Sequence, residues 1–172
     1  MTAAMGVFLL LMAALLQSVV PTAAWLALSK PPFLMAVVLY YALTHRRGAF
    51  LTVAVLAGVI QDSLSLMTVG FSSLCFVAFG LAVLEGRGVL FRDSLLTVAA
   101  LGAVMAALTV CGLYALLRTS TEMVGVPFWW LGLKVGGNAL LGALTAPAVW
   151  LLAGSLERHT GVSHLEEPVA WS

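Results

Sequence analysis

A few side chains in this sequence have a type and spacing that invite a chemical role. Asp62 lies four residues after Gly58, close to the end of an otherwise apolar stretch. Lys134 and Asn138 are four residues apart and share one face of any helix that contains them. An ionisable group within an apolar run is costly in hydrocarbon and usually points inward or toward water. Asp62 therefore reads as a polar anchor, structural or partner-binding, or else as the residue that ends a helix at the interface. Lys134 and Asn138 read as hydrogen-bonding groups between helices or as the lining of a polar cavity. Lys134 has the further option of extending to the interface.

Catalysis asks for more than this. His45, His159 and His164 all fall between or beyond the apolar runs, so no helix-borne Ser and His can face each other at depth. There is no HExxH pattern and no Walker-type Gly-rich loop with its Lys. Cys75 and Cys111 sit inside apolar runs without CxxC or Cys/His spacing, where a thiol acts as a small hydrophobe. The chain reads as non-enzymatic, with no metal and no cofactor.

The elements that position these residues follow from composition. Of 172 residues, 62% are hydrophobic and 9% charged. Soluble domains carry about 25% charged residues, so this chain cannot cover a water-facing surface. A span needs roughly 20 mainly apolar residues, which leaves room for five or six. A net charge of +1 gives no attraction to nucleic acid. The fold class is all-α, a polytopic bundle of six transmembrane helices with five as the alternative.

The runs are about 5–20, 33–43, 49–67, 71–84, 95–117 and 129–153. No Lys or Arg precedes the first, which argues for a helix rather than a signal peptide. Lys30-Pro31-Pro32 introduces the second, since prolines start helices but do not continue them. That second run is short, which suggests tilt, burial among neighbours or hidden length. The fifth carries Gly102 and Ala106, and the sixth carries Gly132 and Gly136. Such small pairs let backbones approach closely in lipid, by default within the bundle and alternatively against another protein's helix. Residues 1–154 form one helical domain and 155–172 a polar tail. With six spans, Arg46, Arg47, Arg87, Arg92 and Arg158 share one side against Lys30, Arg118 and Lys134. That bias places both termini in the cytoplasm.

Three segments resemble one family, the rod-shape-determining protein MreD. They are Lys30-Pro31-Pro32-Phe33-Leu34, Gly58-Val59-Ile60-Gln61-Asp62 and Gly70-Phe71-Ser72-Ser73-Leu74. Pro32 stands where many members have Asp. The resemblance implies a multi-pass protein of the bacterial inner membrane that works without catalysis in cell elongation. Its implied partner is MreC, with MreB, RodA and RodA's transpeptidase partner reached indirectly, and the product is the peptidoglycan of an elongated cell. It also implies a general fold similar to the substrate-binding subunits of energy-coupling vitamin transporters, and such a subunit is the alternative function. Pro31, Gly58, Asp62 and Gly70 match the family pattern by position. Gly132, Gly136 and Asn138 join them as candidates for partner binding or structure.

Overall fold

A computed structural model of the chain describes residues 2–20, 30–65, 70–86, 94–119 and 128–160. Among them the regular elements are helices: α1 (Thr2–Val19), α2 (Phe33–Thr44), α3 (Arg47–Ser65), α4 (Phe71–Gly86), α5 (Leu95–Thr119) and α6 (Phe128–Thr160). Lipid offers backbone groups no hydrogen-bond partners, so a chain this apolar must satisfy them within helices. Three helices contain stretches long and apolar enough to cross a membrane: Arg47–Leu64, Leu95–Ala115 and Trp129–Leu156.

The short α2 is the axis of the bundle. Every residue from Leu34 to Leu43 is buried, whichever way it points. A helix apolar on all faces belongs in an interior. Its 12 residues reach about 18 Å, too little to cross hydrocarbon alone. Burial among neighbours is thus the resolution of its shortness. Pro31 and Pro32 precede its first turn, with Pro32 at the N-cap. At the other end, Thr44 Oγ1 donates to the Tyr40 carbonyl over 2.7 Å. There His45 stacks on Tyr41 with centroids 4.2 Å apart, and Tyr40 meets Trp150 of α6 edge-on at 5.2 Å.

Two close helix pairs flank α2. In the first, α3 and α4 form a hairpin in which the Phe50 ring lies against Gly80, where a side chain would collide with it. In the second, α5 and α6 cross where Gly102 and Ala106 face Gly142 and Ala146. A Cβ added to Gly142 would stand 2.5 Å from the Gly102 carbonyl oxygen and 2.7 Å from the Ala106 Cβ. Helix α1 lies against α2 and α3 with Leu9, Leu10 and Ala13 buried. Its opposite face leaves Leu11, Leu15 and Val19 exposed, as contact with acyl chains requires.

Helix α6 is longer than the apolar pattern implies. It continues past Ala153 to Thr160, and only 161–172 of the expected tail lie outside the described residues. A helix does not have to stop where hydrophobicity does, because its i→i−4 bonds close within the segment whatever surrounds it. Pro147 sits inside it and removes the donor that the Ala143 carbonyl would receive.

Candidate functional site

The turn between α3 and α4 is built around Asp62. An α-helix begins with unsatisfied N–H groups and a positive dipole end. Gly70, at the start of α4, has no side chain to cap them. The Asp62 carboxylate, eight residues earlier in sequence, takes that role. Its Oδ2 accepts the Gly70 N–H at 2.6 Å and its Oδ1 the Ser72 N–H at 3.2 Å. Asp62 is 1% exposed, its bond to Ser72 is buried, and its bond to the exposed Gly70 is part-buried. Charged acceptors give the stronger class of hydrogen bond.

The rest of the turn keeps the two helices close. Gly70 has φ +108°, a conformation open to glycine and strained for other residues. Gly58 lies one turn before Asp62, where a Cβ would overlap the Ser73 backbone. Ser73 Oγ donates to the Val55 carbonyl at 3.2 Å. These residues form one local structure, and Pro31 stands apart from it at the start of α2.

Next to the turn is a pair that the sequence did not single out. Gln17 of α1 donates through Nε2 to Gln61 Oε1 at 2.8 Å. The Gln17 Oε1 is buried and without a partner among the described residues. The only signal in the sequence was a Gln inside each of two apolar runs.

The second feature is a shallow, open groove along α6. It has a volume of about 600 Å³ and is lined by Trp129, Gly132, Leu133, Gly136, Gly137 and Leu140. A Cβ on Gly132 or Gly136 would meet nothing within 4 Å among the described residues. Packing within the bundle, the default expectation for this pair, has no counterpart among the described residues. That role falls to Gly142 and Ala146, one small pair further along α6, which the sequence reading passed over. The Gly102–Ala106 pair does pack tightly, against Gly142 and Ala146.

Asn138 and Lys134 take different partners. Asn138 Nδ2 donates to the Ala106 carbonyl of α5 at 3.3 Å, a bond between helices. Lys134 Nζ lies 5.6 Å from the centre of the Trp130 ring, within reach of a cation–π contact. The two therefore do not converge on a common cavity. No group of three or more His, Cys, Asp or Glu among the described residues could hold a metal ion.

The family model for the rod shape-determining protein MreD matches residues 1–144, which include the Asp62 turn and the whole α6 groove. No curated protein and no solved structure gives a significant match. With a match across most of its length, the chain belongs to the MreD family, a membrane protein family of rod-shape determination.

Proposed function

We propose that this chain is a scaffold of the bacterial elongation machinery that recognises the single transmembrane helix of MreC within the membrane. The observation that carries this reading is the open groove along α6, where Gly132 and Gly136 meet no neighbour among the described residues. Glycines let a second helix approach closely, and in lipid that approach replaces the hydrophobic drive for association. Leu133, Leu140 and Trp129 line the groove beside them and supply shape. Recognition here requires no reaction, in keeping with a family that acts in shape determination rather than catalysis.

In this arrangement the protein resides in the inner membrane with both termini in the cytoplasm. Residues 1–154 act as one domain, with 155–172 extending from it. Through MreC the scaffold links MreB filaments to peptidoglycan synthesis by RodA and its transpeptidase partner. Pro31, Gly58, Asp62 and Gly70 then serve the bundle's architecture, whereas Gly132 and Gly136 serve the partner and Asn138 ties α6 to α5. The overall fold is proposed to share the plan of energy-coupling transporter subunits without their ligand. A vitamin site would need several convergent polar groups, and the groove is lined by glycines and apolar side chains.

Co-purification in mild detergent tests the assignment. Wild-type chain should retain MreC, and the double variant Gly132→Leu/Gly136→Leu should lose it while keeping its own thermal stability. Undiminished MreC recovery by the double variant would remove the groove from the interface. Recovery of coupling ATPases in place of MreC would overturn the scaffold reading itself.

A further inference from the structure

The chain contains two glutamines, Gln17 and Gln61, and the fold bonds one to the other. They stand on α1 and α3, at the end of the bundle where Asp62 caps α4. Gln17 is 6% exposed and Gln61 is half-buried, so the pair runs from the interior toward the boundary. A primary amide has a carbonyl oxygen that accepts and an NH2 group that donates. Gln17 Nε2 donates to Gln61 Oε1 at 2.8 Å, while Gln17 Oε1 has no partner among the described residues.

A buried acceptor keeps its desolvation penalty until a donor reaches it. Turning the amides does not remove the problem. Exchanging oxygen and nitrogen in both preserves the bond between them, and puts an unpartnered N–H where the oxygen stood. The point beside Gln17 therefore asks for a group that can donate or accept. The neighbouring positions on the two helix faces supply neither. One and two turns before Gln17 stand Ala13 and Leu10, and one and two turns before Gln61 stand Ala57 and Ala54, all buried and apolar.

A water molecule meets those terms. It donates or accepts as the amide requires, and it is small enough to enter beside alanines. Gln61, in direct contact with Gln17, offers a second polar partner and, being half-buried, a path from the boundary. A bridging water is nearly as favourable as a direct hydrogen bond, and holding one generally costs less than leaving a buried carbonyl unmet. From this we infer that Gln17 and Gln61 form a binding site for one long-lived water molecule, held between α1 and α3 beside the Asp62 turn. The site is separate from the α6 groove and holds whether or not MreC binds there.

The test reads the two side chains by nuclear magnetic resonance. The full chain in detergent micelles, labelled with nitrogen-15 in its glutamine side chains, shows two NH2 groups, and a Gln61→Met variant identifies the pair that belongs to Gln17. Cross-relaxation with water is measured in the laboratory frame and in the rotating frame. A water held for longer than the tumbling time gives peaks of opposite sign in the two. Proton exchange gives the same sign in both, and passing water gives little in the first. Opposite signs are expected at the Gln17 NH2 of the unaltered chain, a measurement that depends on no variant. In Gln17→Met, an apolar chain of similar length, the Gln61 NH2 should lose any such contact. Contacts of the passing kind alone at Gln17, or a contact from its NH2 to a donor proton of the protein in place of water, would overturn the inference. So would a long-lived water that stays at Gln61 in a folded Gln17→Met variant.

Discussion

Two small-residue pairs on α6 look alike in sequence and have opposite fates in the fold. Gly142 and Ala146 are pressed against Gly102 and Ala106 of α5, with no room for a further methyl group. Gly132 and Gly136 lie two to three turns earlier, line an open groove, and meet no neighbour among the described residues. The comparison separates two uses of one motif. A small residue can be small because a neighbour is already there, or because it leaves a place for one.

Substitutions can break that comparison at either end. The largest effect is expected at Gly142→Leu, which must push apart two backbones. It should destabilise the bundle by about 3 kcal/mol or more, read as a loss of thermal stability in detergent. A tolerated Gly142→Leu would mean that α5 and α6 do not cross there.

Asp62→Ala comes next, because it strips the buried Ser72 N–H and the part-buried Gly70 N–H of their acceptor. A loss of about 2–4 kcal/mol is expected in the same measurement. Asp62→Asn keeps one acceptor and should lose less, about 1–2 kcal/mol. If the alanine and asparagine variants were equally stable to wild type, the cap would not hold the turn.

Gly70→Ala follows at about 1 kcal/mol, the cost of a positive φ for a residue that otherwise meets no neighbour. The smallest effect sharpens the comparison most. Gly136→Leu should alter stability by less than about 0.5 kcal/mol, as for an exposed site. Its effect should appear instead in association with the partner. Destabilisation as large as that of Gly142→Leu would erase the distinction between the two pairs.

Much of this was legible in the residues. The scarcity of charge required a membrane bundle, and the apolar runs located all six helices. Asp62 with Gly58 stood out by spacing, and Pro31 and Gly70 joined them through the resemblance to the MreD family. Their relation, a carboxylate from one helix capping the next, depends on a turn that brings residues 62, 70 and 72 together. The Gln17–Gln61 bond was less accessible, since it joins residues 44 apart in sequence.

What the sequence determined by itself is the solvent and the element type: lipid, and therefore helices, because apolar side chains seek hydrocarbon and backbone groups in hydrocarbon must bond within their own segment. It also marked Asp62 as a polar group near the end of an apolar stretch, without giving its partners. Only the tertiary structure decided that the short α2 is the central helix, and which of two similar small pairs on α6 packs inside. The physical reason is that lipid and protein interior are equally apolar. Hydrophobicity in a membrane therefore does not mark the inside, and each helix face acquires its role only from what lies opposite.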